Sequence, residues 1–484
     1  MGLRWSYETP FQTKYGQQSE FNPTVTDPLT GYMGAITHPS GPLQNSDYKH
    51  FQPRFGGAYK IRDNMVFRGG FGLTTIDLFA PNLGQNFQEY ASNVTVQQPS
   101  GNPSPAFFLG QGPGALNFNV LSNGTSPFVG ANCGPGVITG CGSRSAERID
   151  PNLSNAYAMN WNATYQWEFR PDWMLEVNYV GSAGVGLLEG WNINTIPLGN
   201  SAAYSNQQPN LPFPNFGPIT QWGNFGHSTY HAGSVKVLKR FSHGFTLTSF
   251  YTKSKALDEC DNDTTCSGET FYNRSLEKGR ANFDVANRAV AYATYALPVG
   301  KGRKFMNRGG VLDYIFGGWN VTWIQTFQSG LPVMFTLAGS TNTYLPGNGV
   351  QRPDQVGPNS SVLVSNWTIG NRFPLGAANP LWNLSSFVNP PAFTAGTVGR
   401  DTINGPHLVW SQASASKEIH IREFATLQLR YDVNNVFKNP NFTNPNSVVN
   451  LSSPGVFGRV TGVTGGFCCL GGMFIGDFVV KLTF

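Results

Sequence analysis

Four carboxylates, Asp258, Glu259, Asp261 and Asp263, crowd around Cys260, with Asn262 between them and Glu269 close behind. Carboxylate and amide oxygens at this density are the donors that a hard cation such as Ca2+ takes, about six to eight at a time. A solvated acidic loop tied by Cys260 and Cys266 accounts for the same residues. The two readings part on whether millimolar Ca2+ changes the protease sensitivity of the loop.

The six cysteines are Cys133, Cys141, Cys260, Cys266, Cys468 and Cys469. Cys133 with Cys141 and Cys260 with Cys266 form close pairs in Gly-rich or polar stretches, the pattern of small disulfide-closed loops in an oxidising compartment. Neither pair has a histidine at zinc-ligand spacing, and spacing alone assigns no partner to the adjacent Cys468 and Cys469. His227 and His231 flank the start of a strand pattern, where they would share a face only as neighbours along it. The loop aromatics Trp191, Trp222, Trp367 and Trp382 could stack on a sugar or a ferric chelate, or pack their own loops. No G-x-x-x-x-G-K-[ST], H-E-x-x-H or G-x-S-x-G occurs, and the Gly-rich runs at 110–114 and 184–186 precede no helical pattern. The expectation is a protein that is not an enzyme.

The elements that must position these residues announce themselves by period. From Tyr157 to Phe169 the odd positions are Tyr, Met, Trp, Ala, Tyr, Trp and Phe, while the even ones are Ala, Asn, Asn, Thr, Gln and Glu. At roughly 3.3 Å per residue this strand would be about 43 Å long, well beyond a usual soluble strand, with an aromatic face for lipid and a polar face for water. The same two-faced pattern recurs at 319–328 and 425–433, where Arg430 marks the watery side. About twelve strands are expected, near 2–8, 51–60, 65–75, 156–169, 173–182, 230–241, 245–255, 288–298, 318–328, 409–420, 424–435 and 474–484. Short turns and long loops alternate between them, and every cysteine falls in a long loop. An antiparallel outer-membrane barrel sorts its connections this way, with short turns on the periplasmic side and long loops outside. One short-side connection departs from the rule, a longer basic stretch carrying Lys301, Arg303, Lys304 and Arg308.

Composition agrees. Charged residues are 12% of the 484, about half the usual share, and the mean hydropathy is slightly negative at −0.24. The long uncharged stretches at 90–143 and 314–351 are studded with Gly, Pro, Asn and Thr, so no membrane helix is expected, and strands remain the way across. A net charge of +5 without a basic block gives no reason to expect a nucleic-acid partner. Before the first strand there is no basic start, apolar core and small-residue cleavage site, so no signal peptide is expected within 1–484.

Several segments resemble the carboxyl-terminal barrel portion of TonB-dependent receptors, specifically the Oar-like branch with a carboxypeptidase-regulatory-like domain. They are 51–56 (FQPRFG) with 67–72 (FRGGFG), 175–182 (LEVNYVGS), 283–288 (FDVANR) running to 297–302 (LPVGKG), 317–319 (GGW) with 329–332 (SGLP), and 434–437 (NNVF) with 439–442 (NPNF) and 457–459 (FGR). The ending Phe478, Val480, Leu482 and Phe484 resembles the signal by which barrel assembly machinery takes up its substrates. The resemblance implies an all-β, antiparallel outer-membrane β-barrel portion, in the Gram-negative cell outer membrane and in contact with its lipid. The ligand is unidentified, no plug is expected within 1–484, and TonB would be reached only through an amino-terminal part outside these residues. No cofactor other than Ca2+ is expected. Two competitors are a secreted all-β carbohydrate-binding or adhesion module and a small passive pore.

Overall fold

The computed structural model describes residues 1–10, 12–15, 18–78, 105, 108, 110, 133–134, 136–199, 207–261, 266, 268–338, 350–364, 380–421, 425–464 and 474–483. Twelve strands follow one antiparallel path in chain order. They are β1 (Gly2–Trp5), β2 (Phe51–Arg62), β3 (Met65–Ile76), β4 (Ala156–Arg170), β5 (Trp173–Asn192), β6 (Ile219–Ser242), β7 (Phe245–Asp258), β8 (Asn287–Ala296), β9 (Trp319–Gln328), β10 (Leu408–Ile421), β11 (Ala425–Asn434) and β12 (Ile475–Thr483). Every strand expected from alternation is present. Among the described residues β1 pairs only with β2 and β12 only with β11, so the path is open at both ends.

Short turns join β2 to β3, β4 to β5 and β6 to β7. In the last of these His243 and Gly244 both take positive φ, 53° and 79°. That is the two-residue geometry whose twist matches its flanking strands.

Register gathers most of the strand aromatics on one side. One rung runs Tyr59, Phe67, Tyr165, Val177, Val235, Tyr251, Ala289, Phe327 and Val409 across nine strands. Another continues from Val321 through Ala415 and Tyr431 to Phe478. These side chains are not covered by protein, with Tyr59 70% and Phe478 67% exposed, so the apolar face needs another solvent. Of the charged residues on it, Lys239 and Lys417 sit beside the short turns and Lys255 near the loop end of β7, where a long stem reaches polar surroundings, while Lys253 lies further in, on the rung of Tyr179 and Ala163.

The opposite face is hydrogen-bonded along its length. Thr164 Oγ1 donates to Asn178 Oδ1 (2.7 Å), Gln166 Nε2 to Glu176 Oε2 (2.7 Å), Gln412 Nε2 to Asn434 Oδ1 (2.7 Å) and Ser414 Oγ to Asp432 Oδ1 (2.6 Å). Arg430 is on this side, paired with Asp432 at 2.8 Å. Close approach is also built in: the Trp161 indole lies over Gly181 opposite it, leaving no room for a Cβ there.

Two strands exceed the expectation. β5 continues past Ser182 to Asn192, and β6 begins at Ile219 rather than near 230. Their extra lengths pair with each other, and the four-residue strand Ala146–Ile149 pairs in parallel with Ile219–Trp222. Here loops cover both faces, as the burial of Glu189, Trp191, Ile219 and Trp222 shows. Protein on both sides removes the pressure for alternation, and period 2 fades from the sequence.

The buried core therefore lies in the long loops rather than against the sheet. One cluster gathers Phe335, Val362, Trp382, Phe387, Val449 and Phe457 from the connections β9–β10 and β11–β12. A second joins Leu43, Leu78, Ile149, Leu153 and Trp222, and a third Phe21, Ile36, Ala146, Phe216 and Ile219. The loops form a packed canopy at one end of the sheet.

Candidate binding site in the long loops

At the top of β7 the acidic cluster meets arginines from a different loop. Asp258 pairs with Arg400, whose guanidinium also stands 3.7 Å from Asp261 and 3.6 Å from Asp401. Asp261 Oδ1 accepts the Asn282 backbone N–H (2.7 Å), and Glu259 lies 3.6 Å from His227 and 4.0 Å from Arg274. Asp263 lies outside the described residues. Glu269 and Glu277 hold Arg352 between them at 2.7 Å each, with all three side chains buried. The carboxylates of the β7–β8 loop and the arginines of the β9–β10 loop thus act as a staple between loops. Arg274, Arg280, Arg352, Arg400, Asp401 and Glu277 escaped the sequence reading. The available signal was that charges are scarce in this chain, so an adjacent pair such as Arg400 and Asp401 inside a Gly-rich loop marks burial with partners.

Burial raises several carboxyl groups here. Asp401 is pushed up to about 6, chiefly by loss of water, then by the like charge of Asp261, with Arg400 opposing. Burial also raises Asp261 and Glu269, the latter against the pull of Arg352.

Cys133 is bonded to Cys141 and Cys260 to Cys266. Glu189 approaches the latter two sulfurs, but sulfur held in a disulfide offers no thiolate to a metal. Cys468, Cys469 and Trp367 lie outside the described residues. Trp191 and Trp222 lie on the extended ends of β5 and β6 and Trp382 in the β9–β10 loop; all three are 3% exposed or less, and Trp222 and Trp382 pack into clusters drawn from several connections, so, against the expectation, none offers a face for stacking on a ligand. His231 Nδ1 lies 2.8 Å from the Tyr179 hydroxyl, on the same sheet face as His227. Phe478, Val480 and Leu482 line the exposed apolar face of β12, and Phe484 lies outside the described residues.

A cavity of about 550 Å3 opens where β9 ends and β10 begins. Leu363, Leu381 and Phe442 supply apolar surface, and Asn404, His407, Asn439 and Asn441 supply polar groups. Asn441 is 2% exposed; its Oδ1 accepts the Val409 N–H (2.9 Å) while its Nδ2 has no partner among the described residues. A buried amide donor left over beside a cavity can be satisfied by an acceptor entering it. With no carboxylate or lysine among the described lining residues, the cavity suits an uncharged polar group.

A family model described as "Outer membrane beta barrel domain" matches residues 1–467. No curated protein matches the chain. Among solved structures, similarity extends to the outer membrane transporter YddB from Escherichia coli, with TM-score 0.46 and 9% identity over 93% of this chain and 42% of that one. It extends also to the FrpB iron transporter from Neisseria meningitidis, F5-1 variant (TM-score 0.39, 10% identity, 88% of this chain and 40% of that one). The pyoverdine outer membrane receptor FpvA from Pseudomonas aeruginosa PAO1 is a third (TM-score 0.38, 10% identity, 88% and 37%). The chain spans less than half the length of each.

Proposed function

Because the chain belongs to the outer membrane beta barrel domain family and so resides in the cell outer membrane, we propose that it forms part of the wall of a TonB-dependent receptor of the Oar-like branch. The observation that carries this reading is the single apolar face running unbroken in register from β2 to β12, with the long loops packed together at one end. The open strand path supports a portion of a wider barrel that does not transport alone. In this reading the canopy captures an unidentified ligand, with the cavity beside Asn441 as its place of entry. Coupling to TonB would need a plug and a TonB-contacting segment. The barrel assembly machinery would recognise the β12 ending. Calcium at Asp258, Glu259, Asp261 and Asp263 is a separate proposal. It rests on their clustering and competes with Arg400 and Arg274 for the same oxygens.

The test is to fold the chain into detergent micelles and planar bilayers. Expected are detergent dependence, a heat-modifiable folded species and no steady conductance. Steady channel conductance from the chain alone would favour the passive pore. A monomer that stays soluble without detergent would overturn the wall reading in favour of a secreted module.

A further inference from the structure

The connection between β8 and β9 is the one short-side turn that is not short, and it is built rather than slack. Gly300 N donates to Phe305 O and Phe305 N to Pro298 O, both at 2.9 Å, while the Lys301 N–H donates to Asp313 Oδ1 (2.8 Å). A six-residue helix follows, α1 (Val311–Phe316). Two side chains of the apolar sheet face hold its end: Trp319 Nε1 donates to Ile315 O (2.9 Å), and the Lys417 ammonium donates to Gly317 O (2.5 Å) and lies 5.9 Å from the Trp319 ring. The helix is therefore fastened at the foot of the lipid-facing side of the wall.

What it presents there is unusual for a water-exposed turn. Val311, Leu312, Tyr314, Ile315 and Phe316 are all more than half exposed, beside exposed Phe305. Lys301, Arg303, Lys304 and Arg308 precede them in the same connection, all exposed and without an ion-pair partner among the described residues, with Lys304 Nζ over the Phe305 ring at 5.4 Å. The only acid in the connection, Asp313, is spent on the Lys301 backbone. Exposed apolar side chains and unpaired cations in one connection, continuous with a lipid-facing wall, match the boundary between headgroups and acyl chains of an anionic leaflet.

We propose that 300–318 is an interfacial anchor that inserts α1 into the leaflet on the short-turn side and binds the phosphates of anionic phospholipid through Lys301, Arg303, Lys304 and Arg308. It would fix the height of the wall in the bilayer and gather acidic lipid at its foot.

The test places a photo-crosslinking p-benzoylphenylalanine at position 314 in the full chain, refolded into vesicles of phosphatidylcholine with or without phosphatidylglycerol. A second crosslinker at position 163, in the middle of β4, reports insertion of the wall itself. Expected is a phospholipid adduct at 314, enriched at least about fivefold for phosphatidylglycerol, the weight of a single basic side chain near an anionic surface. The combined change Lys301→Gln, Arg303→Gln, Lys304→Gln and Arg308→Gln should abolish that enrichment while the adduct at 163 persists. Adducts at 314 to protein alone, or lipid adducts indifferent to both headgroup and the four cations, would overturn the anchor. Loss of the lipid adduct at 163 would instead strike the wall reading on which the anchor rests.

Discussion

Asp401 is one residue through which canopy stability becomes sensitive to pH. Its carboxyl titrates near 6 when folded and near 3.8 when unfolded, because burial and Asp261 disfavour its charge. A raised acid contributes stability that is fully present below the unfolded value and is lost as pH rises through the folded one. Asp261 and Glu269 shift in the same direction. The canopy should therefore resist protease better at pH 5 than at pH 7, with most of the change between about 4 and 6. Asp401→Asn, which tolerates the left-handed backbone at this position (φ 55°), should slow loop cleavage at pH 7 and flatten the profile. Unchanged cleavage rates across this range in both proteins would remove Asp401 from this role.

Strand β4 carries the test of which face meets lipid. Ala163 at its centre shares a rung with Gly69 and Tyr179 on the apolar side, while Thr164 next to it bonds Asn178 on the polar side. Arginine at a lipid-facing midplane position costs about 2–4 kcal/mol, whereas water around the inner face tolerates it. Ala163→Arg should lower the urea midpoint of the vesicle-inserted protein accordingly, and Thr164→Arg should leave it nearly unmoved. Equal losses would mean that neither face is lipid. The long ribbon of β5 and β6 shows the limit of this logic, since its upper part leaves the wall and answers to loops on both sides.

Taken as a whole, the molecule has two parts held by different forces: a wall stabilised by strand pairing and lipid, and a canopy stabilised by apolar clusters and buried ion pairs. Arg352 separates them experimentally. Removing it leaves Glu269 and Glu277 buried without their cation, and breaking such a group costs about 3–5 kcal/mol. Arg352→Ala should make the loops much more sensitive to protease while β-sheet circular dichroism and heat-modifiable migration persist. Collapse of both together would show one cooperative unit.

How much of this was legible beforehand follows the same division. The strands that became the wall were readable because each residue there answers to its immediate surroundings, lipid on one side and water on the other, which writes period 2 into residues such as Tyr165, Gln166 and Trp167. The cysteine pairs were readable because six or eight residues of separation keep both partners in one loop. The partners of Asp258 and Glu269 were not, since Arg400 and Arg352 are far along the chain and meet them only when two loops fold against each other. By itself the sequence determined the strands, their faces and the side on which the loops gather, because those depend on local alternation. Only the tertiary structure decided that Asp258 and Glu269 meet Arg400 and Arg352, that Trp191, Trp222 and Trp382 are core, and that the basic turn stands at the foot of the apolar wall. Each of these depends on contacts between segments whose separation leaves no periodic trace.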